Sequence, residues 1–451
     1  MLFIKENDLN TTLSEYSIEN LYGLYNHSLK FNDGESIAIL HGPNGVGKTA
    51  LLRSITYLFN SDFSSLSKIP FSRLFAKLSD NTEIIVTRKG VTKEQLLKHS
   101  QELHKISIEI KSKDKTTTSF SLNEAQLRPE LLPPWIVLSD DGSYIDERNG
   151  MLFPEEFLHQ SLFGKNKQKE IRNRETATQI LEKIKVHFVE TNRLYRSNSD
   201  TTWKRKKEKE MVASVDECAK HLVVLISTAL KDYGKKSQEL DQSFPHRFIS
   251  EPIAQMSLDK LKTRLNELAS QLKKLRKIGL LDAEGIQPFD PESLDKVEKS
   301  KLEIMNLYVR DSEQKLAVFD NLSKRIQVLL DGLNSKFKNK NIQLNKERGL
   351  IARGPNDFDL SLSDLSSGEQ HEIVLLYELL FKVAPNTLVL IDEPELSLHM
   401  TWQKSFLPEL LSISREIGFS SILATHSPFI VGDRYDLLIS LDTKNNNDSM
   451  E

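Results

Sequence analysis

The chain has a single cysteine, Cys218, so it cannot close an internal disulfide or build a multi-cysteine metal site. A reducing, cytoplasmic setting is therefore expected. Long apolar runs are missing too. The longest one near that cysteine, Leu222 to Leu230, is too short to span a bilayer and contains Ser227 and Thr228, which argues against a membrane role. The opening MLFIKENDLN lacks the basic-then-apolar layout of a signal peptide. An excess of charge of one sign is also absent. The net charge of −3 creates no global field toward nucleic acid, so DNA binding would need a local basic patch and is left open. There is no internal repeat and no long low-complexity tract.

What is present is 38% hydrophobic and 28% charged residue over 451 positions, enough for a packed core under a heavily charged surface. Tyr16–Phe31 alternates and ends at the turn signal Asn32-Asp33-Gly34, and Ser36-Ile-Ala-Ile-Leu40 reads as a buried strand. Residues 83–88, 104–111, 116–122 and 184–189 read as further strands. From about 201 to 345 the pattern is helical. Leu261, Leu265, Leu268, Leu272 and Leu275 alternate spacings of four and three, a short coiled-coil seam. Gly285, Pro288 and Pro291 break it, and a second helix over about 293–333 would complete an antiparallel hairpin. The seam is a stub of about 30 Å at most. From 350 strand and helix alternate again, and Thr443–Glu451 is a polar tail. The class is α/β, with expected divisions 1–200, 201–345 and 346–451.

Four motifs carry chemistry. Gly42-Pro43-Asn44-Gly45-Val46-Gly47-Lys48-Thr49 fits GxxxxGK[ST], straight after a strand and before the helix opened by Ala50. Its glycines let backbone N–H groups face phosphate, Lys48 reaches terminal phosphates and Thr49 binds Mg²⁺. Leu388-Val-Leu-Ile-Asp392-Glu393 is an apolar strand delivering two carboxylates, Asp392 for the Mg²⁺ shell and Glu393 to orient or deprotonate water. Leu365-Ser366-Ser367-Gly368-Glu369-Gln370 opens an amphipathic helix. Ser366 and Glu369 fit a capping box, while Ser367, Gly368 and Glu369 at a small-residue helix tip also fit a phosphate contact. Ser420-Ser-Ile-Leu-Ala-Thr425-His426 is a strand ending in a histidine.

Weaker signals stay open. Asn192, in Phe188–Leu194, either senses nucleotide or ends a strand. Tyr22 or Tyr25 either stacks on adenine or packs in the core. The basic clusters Lys165–Arg174, Lys204–Lys209, Lys273–Lys277 and Lys336–Arg348 are interleaved with acids or lie on helices, as solvated faces do.

The set GPNGVGKT, LSSGEQ, LVLIDEPELSLH and ATHSPFIV resembles the ABC/SMC-like ATPases of bacterial anti-phage systems, over about 1–200 and 345–451. In that family the signature reads LSGGQ, from which Ser367 and Glu369 depart. The resemblance implies an ABC-type P-loop NTPase head, a mixed sheet plus an antiparallel β lobe, split by a helical, short coiled-coil insertion. It implies ATP and Mg²⁺ as cofactors, His426 as the switch histidine on the terminal phosphate, Asn192 in the place of a nucleotide-sensing glutamine, and catalysis by Glu393, His426 and Lys48. It also implies a head-to-head dimer, because the signature tip serves a partner's phosphates. Within the group the chain is most similar to AriA-type ATPase subunits of PARIS systems. These imply a higher homo-oligomer such as a hexamer, a separate Toprim/DUF4435-type (AriB-like) effector nuclease held inactive, and a phage trigger protein. PtuA-type subunits of Septu, with an HNH nuclease, come next. Only 442–451 follows Leu441, so a fused nuclease is not expected. A DNA-repair or DNA-bridging ATPase would call for long coiled coils, often with a Cys-x-x-Cys hook. A transporter motor would call for a much shorter span between Lys48 and Asp392.

Overall fold

The computed structural model describes residues 11–31, 36–88, 96, 106–112, 116–122, 136–138, 144–146, 151–153, 165–197, 211–250, 256–282 and 299–441. The expected turn at 32–34, the break at Gly285, Pro288 and Pro291, the Lys204–Lys209 cluster and the 443–451 tail lie outside the described residues. The chain divides into two compact units, one of 1–191, 383–396 and 403–451, the other of 192–382 and 397–402.

In the first unit a hairpin, β1 (Leu13–Leu21) and β2 (Tyr25–Lys30), reverses at Tyr22 and Gly23, both with left-handed φ of 54° and 73°. The stretch read as one alternating run is thus two strands, and a tyrosine occupies a position that glycine or asparagine usually takes. Next come β3 (Ile37–His41), α1 (Lys48–Phe59), α2 (Phe63–Lys68), β4 (Arg73–Leu78), β5 (Glu83–Thr87), β6 (Ile106–Lys111) and β7 (Thr117–Leu122). Strands β8 (Ile136–Leu138), β9 (Tyr144–Asp146) and β10 (Met151–Phe153) form a small antiparallel sheet, before α3 (Lys165–Leu181) and β11 (Lys185–Val189).

The chain then builds the second unit. It consists of β12 (Tyr195–Ser197), β13 (Met211–Ala213), α4 (Ser214–Ser250), α5 (Leu258–Lys277), α6 (Lys299–Leu316), α7 (Asp320–Lys336), β14 (Asn341–Asn345), β15 (Gly349–Arg353), β16 (Asp359–Leu360) and α8 (Ser367–Tyr377). The chain then completes the first unit with β17 (Thr387–Asp392), α9 (Met400–Ile417, counted with the first unit from Gln403), β18 (Ser420–Thr425), α10 (Pro428–Val431) and β19 (Leu438–Ser440). No helix among the described residues is long and apolar enough to cross a membrane.

Two sheets frame the first unit. One is antiparallel, in the order β2-β1-β4-β5-β6-β7; the other runs β11-β17-β18-β3-β19 with every pairing parallel. Parallel strands are covered on both faces, which is why β17 reads as an unbroken apolar run and is buried at every position. Helix α1 offers Leu51, Leu52, Ile55 and Leu58 to a buried cluster shared with Tyr16, Ile18 and Val86 of the antiparallel sheet and Leu390, Ile422 and Ala424 of the parallel one. Register fixes the outcome. Asp392 pairs with Ala424 and Thr425 with His41, so the residues after β17, β18 and β3 emerge side by side at the carboxyl edge, where open α/β sheets bind ligands. The fold is α/β, as expected, with a parallel sheet, an antiparallel sheet and a largely helical insertion between β11 and β17.

In the second unit Leu261, Leu265, Leu268 and Leu275 of the seam are buried, and Leu261 and Leu265 pack with Val309, Leu302 and Met305 of α6. Arg264 binds Asn306 (3.1 Å) and Glu313 (2.8 Å), and Gln271 binds Asp320 (2.8 Å). Partner numbers rise together, so α5 and α6 run parallel. This corrects the expected antiparallel hairpin, since leucine spacing fixes which face is buried but not the direction of the helix covering it. The antiparallel partner of α6 is α4, through Arg247 to both oxygens of Asp311 (2.6 and 2.7 Å) and Lys315 to Asp241 (2.7 Å). Buried leucines at about 1.5–3 kcal/mol each outweigh the more exposed pairs, such as Lys315–Asp241, at about 1 kcal/mol or less.

The β14–β15 turn ends at Gly349, φ +76°, where a Cβ would lie 2.1 Å from the Ala219 carbonyl oxygen of α4. Neither the backbone angle nor the space admits a side chain. Gly349→Ala should destabilise the protein by about 2 kcal/mol or more, read as a lower thermal unfolding midpoint.

Candidate functional site

Strand β3 ends at His41, residues 42–47 turn back, and α1 starts at Lys48. Gly45 and Gly47 hold left-handed φ of 86° and 90°. Gly47 is the N-cap of α1 and supplies no side-chain acceptor, so the leading N–H groups of the helix are left to an external anion. A Cβ on Gly47 would stand 2.8 Å from Leu21 Cδ2. The loop is braced by His27, whose Nε2 lies 2.7 Å from the Val46 carbonyl oxygen. A carbonyl only accepts, so Nε2 carries the proton, and burial lowers the ring's pKa below its ordinary value and keeps it neutral. The Lys48 ammonium is buried and donates to the carbonyls of Gly42 (2.8 Å) and Pro43 (3.0 Å), using two of its three donors.

Asp392, at the end of β17, is 1% exposed. Its Oδ2 accepts from the hydroxyls of Thr49 (2.8 Å) and Thr191 (2.8 Å), while buried Oδ1 has no partner. A buried acceptor without a donor costs about 1–3 kcal/mol, more when charged. A hydroxyl and a carboxylate beside a phosphate cradle are hard oxygen ligands of the kind Mg²⁺ takes. Among the described residues no cluster of three or more His, Cys, Asp and Glu could hold an ion alone. Phosphate and water oxygens would therefore complete the shell, as is usual for this metal.

Glu393 follows with φ 44°, a left-handed conformation costing a non-glycine residue about 1–2 kcal/mol, pinned by its N–H to the Ala424 carbonyl (2.9 Å). Its side chain is half-buried. At the end of β18, His426 Nδ1 lies 2.9 Å from Oε1 of the buried Glu395. The same oxygen accepts from the His426 N–H (2.9 Å) and the Thr425 hydroxyl (2.8 Å).

In the second unit Ser366 caps α8 in a complete capping box with Glu369. The Glu369 carboxylate takes the Ser366 N–H (2.9 Å) and hydroxyl (2.8 Å) and both hydrogen bonds of Lys340 (2.9 and 2.8 Å). Burial raises its pKa, but the hydrogen bonds from Lys340 and Ser366 outweigh this and hold the carboxyl below its usual range. The Glu369 side chain is therefore committed to its own helix end, and the exposed Ser367 and half-buried Gly368 remain at the tip. Gly368 has its own constraint, because a Cβ there would be 2.5 Å from the Ser397 carbonyl oxygen.

Of the weaker signals, Asn192 is exposed and directly follows Thr191. Tyr22 and Tyr25 are half-buried against the core, and Tyr25 stacks on His27 at 6.0 Å. Lys336, Lys340, Lys346 and Arg348 pair with Glu372, Glu369, Asp282 and Asp359, while Lys273, Lys274 and Lys277 stand exposed on α5. Sequence reasoning missed His27, Thr191 and Glu395. Only their neighbours hinted at them: Thr191 precedes Asn192, and Glu395 lies two residues past Glu393.

A family model described as an AAA ATPase domain matches residues 12–431. No curated protein matches the chain. Among solved structures, the Smc head domain with an extended coiled coil bound to the C-terminal domain of ScpA, from Pyrococcus furiosus, is 13% identical with a TM-score of 0.37. The match covers 96% of this chain and 94% of that one. A SmcHead bound to the C-winged helix domain of ScpA is 11% identical (TM-score 0.37; 95% and 93% covered), and the SMC head domain from Thermotoga maritima is 11% identical (TM-score 0.30; 95% and 94%).

Because the folded pKa of Glu369 is depressed, its stabilisation is present above the unfolded carboxyl pKa and is lost as pH falls through the folded value. Glu369→Gln should cost about 1 kcal/mol at pH 7 by urea unfolding, with the gap closing below about pH 4.

Proposed function

Because the chain belongs to the AAA ATPase domain family, we propose that it binds ATP with Mg²⁺ and hydrolyses it to ADP and phosphate. The observation that carries this reading is the buried Asp392 carboxylate, bonded to Thr49 directly after the glycine loop and with one oxygen unmatched. Thr49 and Asp392 would hold the metal, which when bound neutralises charge on the phosphate oxygens. Gly42, Pro43, Asn44, Gly45, Val46 and Gly47 wrap the phosphates with backbone N–H groups, and Ala50 extends the helix end facing them. Lys48 turns its ammonium from the Gly42 and Pro43 carbonyls to the terminal phosphate. Glu393 orients the attacking water and accepts its proton, and His426 meets the terminal phosphate through Nε2. Asn192, next in the chain to Thr191, would supply an amide to the nucleotide. Ser367 and Gly368 of a second copy complete the site, so turnover requires a head-to-head dimer.

The motif set further supports a sensor subunit of an anti-phage system. It would be AriA-like in form, a homo-oligomer in the cytoplasm that holds a separate Toprim-type nuclease until a phage trigger arrives. A PtuA-like subunit with an HNH nuclease is the competing outcome, decided by which nuclease copurifies with the chain from its native operon.

Lys48→Ala should reduce Mg²⁺-ATP affinity at least about 100-fold by calorimetry. Glu393→Ala should retain affinity but accumulate an ATP-bound dimer, seen by light scattering, with turnover down about 100-fold or more. Both should abolish phage protection in cells. Wild-type affinity in the Lys48→Ala protein, or full hydrolysis by a strict monomer, would refute this function.

A further inference from the structure

We infer that Glu395 is a positioning residue that holds the His426 ring for its contact with substrate, a role resting on the ATPase reading above. The geometry is specific. Three donors converge on one oxygen of Glu395: the Thr425 hydroxyl at 2.8 Å, the His426 backbone N–H at 2.9 Å and ring Nδ1 at 2.9 Å. An oxygen accepting from a backbone N–H and a hydroxyl carries no proton of its own, so Nδ1 is a donor as well. Nδ1 therefore keeps its hydrogen, and Nε2 is the ring nitrogen left to face substrate. The His426 side chain is 45% exposed, whereas that of Glu395 is 6% exposed, so the ring projects from a buried mount.

The mount is itself braced. Thr425 Oγ1 accepts from the Ser427 N–H (3.0 Å), and the Ser427 hydroxyl donates to Gln403 Oε1 (2.7 Å). Backbone and ring of His426 are therefore both tied to the end of β18. A purely structural pin would not require a carboxylate. Glu395 Oε2 is buried without a partner, an arrangement that costs folding free energy. An acid behind a histidine does what a neutral acceptor cannot: its charge strengthens the Nδ1–H hydrogen bond that fixes the ring. The charge thus serves the histidine.

A double-mutant cycle in the full-length protein tests this. Glu395→Ala and His426→Ala should each lower kcat at least about tenfold while leaving the KM for Mg²⁺-ATP within about threefold. The double variant should be no slower than His426→Ala alone. Glu395→Gln, which keeps the acceptor and drops the charge, should fall between wild type and Glu395→Ala. Should Glu395→Ala not fold, Glu395→Gln replaces it in the cycle. Losses that multiply in the double variant, unchanged turnover in the single ones, or loss of ATP affinity together with thermal stability would overturn the role. Wild-type protein without any hydrolysis would instead end the ATPase reading itself, so the two failures are distinguishable.

Discussion

One carboxylate ties together stretches far apart in the chain. Asp392 accepts from Thr49, 343 residues earlier, and from Thr191, 201 residues earlier. Those bonds hold only if β17 and β11 lie side by side and α1 starts beside their carboxyl ends. The parallel pairing of β11 with β17 supplies the first condition, and α1, buried against both sheets, supplies the second. The rest of the site follows from strand register, since Glu393 and His426 come one residue after paired positions and cannot shift without turning apolar side chains to the wrong face. The insertion of the second unit between β11 and β17 leaves this arrangement intact, because the two strands meet through the sheet and not through chain continuity.

Charge placement follows a different logic in each unit. In the first, buried charge is left incompletely matched where phosphate and metal would arrive: Lys48 on two carbonyls, Asp392 with one free oxygen. In the second, several charges are drawn into ion pairs. Lys336 meets Glu372, Arg247 grips both oxygens of Asp311, and Lys340 both oxygens of Glu369. A run of lysines looks the same in sequence whether its members are paired or solvated. In the Lys336–Arg348 cluster Lys336, Lys340, Lys346 and Arg348 are of the paired kind, while Lys338 is exposed.

The glycine loop, the acidic strand and the histidine strand were legible because each joins a local spacing to a local element: a left-handed glycine before a helix, an apolar run ending in acids. The carboxylate behind His426 was not legible, because nothing in a spacing says which of two nearby glutamates turns inward. His27 reaches Val46 only through a hairpin folding back over the loop, which is tertiary information. Leu261 to Leu275 announced a buried stripe but not that α6 runs along it in the same direction. Tyr22, with its left-handed φ, runs against local preference, and its packing on the core explains why the turn is tolerated.

Glu369 shows how a departure from a family pattern can be absorbed. An acid at a helix tip meant to approach phosphate would repel it, at about 1 kcal/mol even in water and more where water is excluded. Here the carboxylate is drawn back by Ser366 and neutralised by Lys340, so its charge is spent before any anion arrives. The same contact closes the capping box, leaving the N–H groups of Ser367 and Gly368 as the donors at the tip. Capping thus takes the side chain of Glu369, and any phosphate contact at this tip would fall to its neighbours' backbone.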